Sequence, residues 1–96
     1  MSNQLFKVAY IPMALKERQW FEKHDKITFG KILVFEEMLK ESGRILIGRP
    51  ETIIYKNFGK CVSVRLDKKN RYVFSYKFEP DGTIVVVSCK GHYDDH

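Results

Sequence analysis

The spacing of hydrophobic residues changes twice along this chain. Over Leu5 to Ile11, LFKVAYI, apolar side chains crowd a short stretch that Pro12 closes. This reads as a strand, because proline does not continue a ladder. From Met13 to Ser42 the period lengthens. Leu15, Trp20, Phe21, Ile27, Ile32, Leu33, Phe35, Met38 and Leu39 recur mostly at three- and four-residue steps, with Lys and Glu between them, which predicts helix. The segment HDKITFGK within it carries a β-branched pair and Gly30, so the helical region is expected to kink there or to fold into a helical hairpin. Ser42-Gly43 supplies a stop, since glycine takes the left-handed conformation freely.

Beyond the helices the chain is β-branched and aromatic. Residues 52–56 (TIIYK), 61–67 (CVSVRLD), 71–78 (RYVFSYKF) and 83–90 (TIVVVSCK) read as strands separated by turn chemistry. EPDG joins the last two; its proline presets one turn dihedral and its glycine permits a positive one, which predicts a hairpin. The order is an N-terminal β-strand, a helical hairpin and an antiparallel β-meander. An α+β fold with its helices on one face of a small sheet follows. Residues 1–96 are expected to form a single domain, since a second core would not fit this length. Alternation places Val62, Val64 and Leu66 on one face of their strand, and Ser63 and Arg65 on the other.

Charge narrows the picture. Lys and Arg number 17 against 12 Asp and Glu, for a net charge of +5, which suits a polyanionic partner such as RNA, DNA or an anionic surface. No stretch approaches the ~18 continuous apolar residues of a membrane span. The beginning of the sequence lacks a basic start followed by a long apolar run. Cys61 and Cys89 are too few and too far apart for a disulfide framework or a zinc site. Both fall in apolar strands, as buried thiols in a reducing cytoplasm would.

Taken singly, the candidates for chemistry have ordinary roles. Arg65 reads as a solvated cation on an open sheet face, and Arg71, just beyond the basic turn Asp67-Lys68-Lys69-Asn70, as a turn residue in water. Glu51, after Pro50, reads as a surface carboxylate. His24 and His96 read as exposed, and His92 stands directly after a strong strand. Their arrangement in sequence says more. Arg49-Pro50-Glu51, Asn57-Phe58 with Ser63 and Arg65, Asn70-Arg71-Tyr72-Val73-Phe74-Ser75-Tyr76, and Cys89-Lys90-Gly91-His92-Tyr93 follow one another along essentially the whole chain. This pattern resembles the RelE superfamily of bacterial toxins, which are ribosome-dependent mRNA endonucleases, and within it the YoeB (Txe) branch.

The resemblance implies a RelE-like microbial RNase fold and a toxin of a type II toxin–antitoxin system that cuts mRNA in the ribosomal A site. It places Glu51 on the general base, His92 on the general acid, Arg71 on the arginine that stabilises the scissile phosphate, Tyr93 on the terminal tyrosine and Arg65 on a second basic position. It implies no cofactor and no metal. The partners it implies are the ribosome with its 16S rRNA, mRNA, and an acidic antitoxin that wraps the toxin. A homodimer, or an assembly of two toxins with antitoxin that binds operator DNA through the antitoxin, is part of the same picture, as are a cytoplasmic location and no membrane. The chain departs from the family pattern in places. A basic stretch after the glutamate is Ile53-Ile54-Tyr55-Lys56, with Lys56 as stand-in. A paired arginine is Val64-Arg65, and the aromatic before it is Val62. A histidine before the key arginine is Asn70, and a nearby carboxylate is Lys69. Asp94-Asp95-His96 extends past the tyrosine.

The chemistry also stands on the residue types. Metal-free RNA cleavage uses the substrate's own 2′-hydroxyl: one group takes its proton, another protonates the departing 5′-oxygen, and a cation offsets charge on the phosphorane. A carboxylate, an imidazole and a guanidinium meet these needs. In a meander Arg71 opens the middle strand beside the end of the last, near His92, and Arg65 faces Arg71 across their turn. Glu51 arrives from the loop after the helices. Two rival readings keep the fold and drop the chemistry. One is a basic module that occupies RNA or the ribosome through Lys56, Lys60, Lys68 and Lys69 with Tyr55 and Tyr72. The other is a structural member of a complex with an acidic protein segment.

Overall fold

The computed structural model describes residues 6–75 and 79–91. A short strand β1 (Lys7–Tyr10) leads into helices α1 (Pro12–His24) and α2 (Lys26–Ser42), followed by strands β2 (Glu51–Tyr55), β3 (Gly59–Arg65), β4 (Arg71–Ser75) and β5 (Thr83–Ser88). The sheet has five strands in the order β1-β5-β4-β3-β2. The last four form the expected antiparallel meander, and β1 lies parallel to β5 on its outer side. The α+β architecture expected from the pattern is therefore present, with β1 added at an edge that no local turn announces. Among the described residues no helix is long and apolar enough to cross a membrane.

The helical region breaks at one residue. Asp25 closes α1 through its backbone N–H, donated to the Phe21 carbonyl at 2.9 Å. Its carboxylate then accepts the Thr28 N–H at 3.1 Å as the cap of α2. Aspartate satisfies the otherwise orphaned donors of a helix start, so the break falls there. Gly30 lies inside α2 instead, where a Cβ would meet nothing within 4 Å. Gly43, at φ 75°, ends α2 as its position after Ser42 predicts.

Both helices pack on one face of the sheet. Phe21, Ile32, Phe35 and Leu39 meet Val64, Leu66, Tyr72, Phe74, Ile84 and Val86 in the main core. The other face carries a smaller apolar cluster of Cys61, Val73 and Val87. A bulge in β5 separates the two: Phe74 pairs with Val86 but Val73 pairs with Ser88, leaving Val87 as the extra residue. The extra residue reverses the alternation beyond it. Val87 stays on the open face, and Cys89 turns into the helix-side core. Both cysteines are buried free thiols on opposite sides of the sheet.

A polar network sits at the centre of the helix-side core. The Tyr10 hydroxyl meets Glu36 and lies 2.7 Å from the Tyr72 hydroxyl. Arg18 grips both Glu36 oxygens, at 2.6 and 3.2 Å, and lies 5.6 Å from the Tyr10 ring and 5.1 Å from the Phe29 ring. One carboxylate thus ties β1, β4, α1 and α2 together. Burial first, then the neighbouring Glu36, drives the Tyr10 hydroxyl well above the ordinary tyrosine range. Burial and the Tyr10 hydroxyl do the same to Tyr72.

The loop from α2 to β2 is anchored where it delivers Glu51. The Gly48 carbonyl accepts the Arg65 N–H at 2.7 Å, and Gly48 and Arg49 are left-handed at φ 75° and 53°. A Cβ on Gly48 would lie 2.5 Å from Val64 Cγ1 and 3.0 Å from the Arg65 carbonyl oxygen. Close approach to β3 therefore needs glycine here.

Gly48→Ala is expected to lower stability by about 1–3 kcal/mol through strained backbone, read as an earlier urea midpoint; an unchanged midpoint contradicts the role given to the loop. A second expectation concerns alkaline pH. The folded tyrosines hold their protons to higher pH than the unfolded chain, which releases them near pH 10. The stability they contribute is complete below that pH and falls as pH rises towards the folded values. The Cys89 thiol, pushed up to about 12 chiefly by burial, adds the same trend from about pH 9. Tyr10→Phe should remove about 1.4 kcal/mol per pH unit from the slope above pH 10, measured by denaturant unfolding at stepped pH. An unchanged slope contradicts the burial of that hydroxyl.

Candidate active site

Glu51 is the first residue of β2 and the register partner of Ser63. Arg71 is the first residue of β4 and the partner of Arg65. Alternation puts Glu51, Ser63, Arg65 and Arg71 on the open face of the sheet, away from the helices. Proline before Glu51 fixes one backbone angle as the chain enters the strand. Glu51 was expected in a loop; pairing with Ser63 instead makes it part of the ladder, so sheet register sets its place.

The Arg71 side chain lies across its neighbours. Its Nε donates to Ser63 Oγ at 2.6 Å, and its Nη2 donates to the Ser63 carbonyl oxygen at 3.2 Å. The same Nη2 lies 3.5 Å from Glu51 Oε1. Only 10% of the Arg71 side chain is exposed, against 47% for Glu51. Alone in sequence, Arg71 read as a turn residue in water. The structure buries it because hydroxyl, carbonyl and carboxylate oxygens together answer its charge. A planar fork of donors suits this, and an ammonium would not reach three acceptors in the same way. Glu51 keeps an open side, so its carboxylate is reachable from solvent.

The turn between β3 and β4 brings more basic residues to the same end. Arg65 is exposed, and so are Lys68 and Lys69. Asp67 fixes the turn by accepting the Lys69 and Asn70 N–H groups, each at 2.7 Å, and the Asn70 side-chain amide at 2.9 Å. Burial opposes its charge, yet those donors, with the Thr28 hydroxyl, hold the Asp67 carboxyl below its usual range. Lys56 and Lys60 are exposed at the opposite end of the β2–β3 pair. Lys60 shares the alternation of Val62 and Val64, on the helix side. The structure thus gathers Glu51, Arg65, Arg71, Lys68 and Lys69 at one end and leaves Lys56 and Lys60 at the other.

His92 and Tyr93 lie outside the described residues, as does His96. The backbone leading to them is held at the start of β4. Arg71 N–H donates to the Gly91 carbonyl at 3.3 Å, and Gly91 N–H donates to Asn70 Oδ1 at 2.7 Å. Gly91 is left-handed at φ 91°, a conformation that its lack of a side chain permits. His24 closes α1 in solvent, its ring 4.9 Å from that of Trp20.

Sequence reasoning passed over two members of this arrangement. Ser63 holds Arg71; in the sequence it stood on the Arg65 face and among the matching segments, with no role given to it. Asn70 holds Gly91, and in the sequence it stood only as the residue before Arg71, with no role of its own.

Neither a protein-family model nor a curated protein sequence matches this chain. Solved structures do. The YoeB dimer from Staphylococcus aureus is similar at 27% identity, covering 93% of this chain and 99% of that one, with a TM-score of 0.76. The heterotetrameric YoeB-YefM toxin-antitoxin complex from Staphylococcus aureus is similar at 26% identity, 92% and 98% coverage and a TM-score of 0.73. The archaeal RelE-RelB complex from Pyrococcus horikoshii OT3, at 16% identity, 96% and 99% coverage and a TM-score of 0.67, shares the fold. Along nearly its whole length the chain is therefore similar to the staphylococcal YoeB toxins in fold and in sequence, and it shares its fold with the archaeal RelE.

Proposed function

We propose that this toxin is an endoribonuclease that cuts mRNA in the ribosomal A site, with the substrate's 2′-hydroxyl as nucleophile. Glu51 takes the proton from that hydroxyl as it attacks phosphorus. Arg71 offsets the charge that grows on the phosphorane oxygens. His92 gives a proton to the departing 5′-oxygen, and Tyr93 stacks on a base or hydrogen-bonds to the phosphate. Products are a 2′,3′-cyclic phosphate and a free 5′-hydroxyl, so every proton is accounted for and no metal enters the route. Arg65, Lys68 and Lys69 supply phosphate contacts beside the site.

One observation carries this reading: a buried guanidinium held 3.5 Å from a half-exposed carboxylate, at the sheet end where the backbone of Gly91 leads into His92. An arginine serving the sheet alone would be expected in water, as Arg65 is. Here its fork is preorganised, which favours a charge that appears only during reaction. Lys56 and Lys60 are proposed as outlying contacts to RNA, since their end of the hairpin is also exposed and basic.

The partner is proposed to be an antitoxin, supported by the complexes of similar toxins with YefM and RelB. A net charge of +5 suits an acidic partner segment. The compartment proposed is the cytoplasm, where ribosomes and mRNA are.

Mapping mRNA 5′ ends in cells after induction checks the chemistry. The wild type is expected to create new ends within translated codons. Glu51→Gln and His92→Gln are each expected to reduce them by about 10²–10⁴-fold, the range of a lost general base or acid. Blocked translation without new ends would mean that the protein occupies the ribosome and does not cut.

A further inference from the structure

The end of β5 is held by side chains that the proposed chemistry does not use. The Cys89 N–H donates to Glu17 Oε1, on α1, at 2.9 Å. The Cys89 thiol, fully buried, lies 3.5 Å from the Ala14 carbonyl oxygen on the same helix. Lys90 Nζ sits 3.6 Å from the centre of the Trp20 ring, one helical turn further along α1. Gly91 is then taken up from the other side by Asn70 Oδ1 at 2.7 Å and by the Arg71 N–H at 3.3 Å. Three consecutive residues are therefore fixed by partners from two different elements.

Such a density of contacts is unusual for a chain leaving its last strand, where fraying is the ordinary outcome. The contacts are also of a particular kind. Glu17 and Asn70 bind backbone N–H groups, so they set the path of the main chain without reference to its side chains. Asn70 is itself held: its amide Nδ2 donates to both Asp67 oxygens, at 2.9 and 3.1 Å. That orientation turns its Oδ1 towards Gly91. Asp67 in turn accepts the Thr28 hydroxyl at 3.4 Å, which links the clamp to the first turn of α2. Glu17 is half-buried; its carboxyl is raised by burial, against the opposing pull of the Cys89 and Lys90 N–H groups. A carboxylate kept in such surroundings needs those donors.

We propose that Glu17 and Asn70 are positioning residues: their side-chain oxygens fix the backbone of residues 89–91 and so set the point from which the chain continues into His92. This rests on the reading of His92 as the general acid. Its consequence is that two residues outside the reacting groups govern the rate of the chemical step. Displacing a catalytic group by an ångström costs about a hundredfold in rate.

Single-turnover cleavage of mRNA on purified ribosomes, at saturating toxin, tests it. Glu17→Ala and Asn70→Ala are each expected to slow cleavage by about tenfold to a hundredfold, with the toxin concentration for half-maximal rate unchanged. Glu17→Gln keeps an accepting oxygen and should recover most of the rate. In a His92→Gln background, Glu17→Ala and Asn70→Ala should add almost nothing, because the group they place is gone. Amide exchange gives an independent reading: the Gly91 amide should lose protection in Asn70→Ala while β4 amides keep theirs. Asn70 lies in a surface turn, so this variant keeps the test open should Glu17→Ala fail to fold. Full rates in Glu17→Ala and Asn70→Ala overturn the proposal, as does an equal slowing with and without His92, or a Glu17→Gln as slow as Glu17→Ala. His92→Gln as active as wild type would instead remove the acid assignment itself, whatever the amide of Gly91 does.

Discussion

A guanidinium taken out of water must have its charge answered by fixed oxygens, and the placement of Arg71 organises the open face of this sheet around that requirement. An uncompensated charge there would cost several kcal/mol. Ser63 answers it twice, from side chain and backbone, and Glu51 answers it once. All three residues are set by strand register, since Glu51 pairs with Ser63 and Arg71 pairs with Arg65. A one-residue slip in either pairing would turn one partner to the other face and leave the charge less fully answered. The site is therefore as rigid as the meander that carries it.

The meander is held from behind. Glu36 and the tyrosine hydroxyls of Tyr10 and Tyr72 join both helices to β1 and β4, with Arg18 closing the network. Tyr72 follows Arg71 directly, so neighbouring residues on opposite faces of β4 serve the scaffold and the candidate site. The β5 bulge has a similar double effect. It turns Cys89 into the helix-side core, and so brings the next residues against α1, where Glu17 and Trp20 meet them. A regular strand would have left Cys89 on the open face with Val87.

Much of this was legible in the sequence because it is local. EPDG makes the β4–β5 turn, with Gly82 left-handed at φ 85°, as the turn chemistry required. Alternation sorted Val64 and Leu66 from Ser63 and Arg65, and the basic turn put Arg65 opposite Arg71. What escaped depends on distant partners. The parallel place of β1 beside β5 is decided by how two helices cross back over the sheet, and no short motif records it. The break within HDKITFGK was legible, and the Asp25 cap on Thr28 fixes which of its residues carries it. The burial of Arg71 could not be read from a strand opening in KKNRY, because the residues that bury it come from β2 and β3. Glu17 was invisible as anything but one more charge on α1, since its partner lies 72 positions away.

Two kinds of arginine stand side by side at this end of the sheet, one in solvent and one enclosed, and the functional account depends on their difference. If the enclosed cation works on phosphate, its shape matters and not just its charge. Single-turnover cleavage of ribosome-bound mRNA by Arg71→Lys tests this most directly, beside a matched Arg65→Lys and with folding checked by thermal unfolding. The account predicts that Arg71→Lys loses about 10²–10³ in the rate of the chemical step, the scale of one preorganised donor removed, while Arg65→Lys stays near the wild type. Cleavage by Arg71→Lys at the wild-type rate would contradict it.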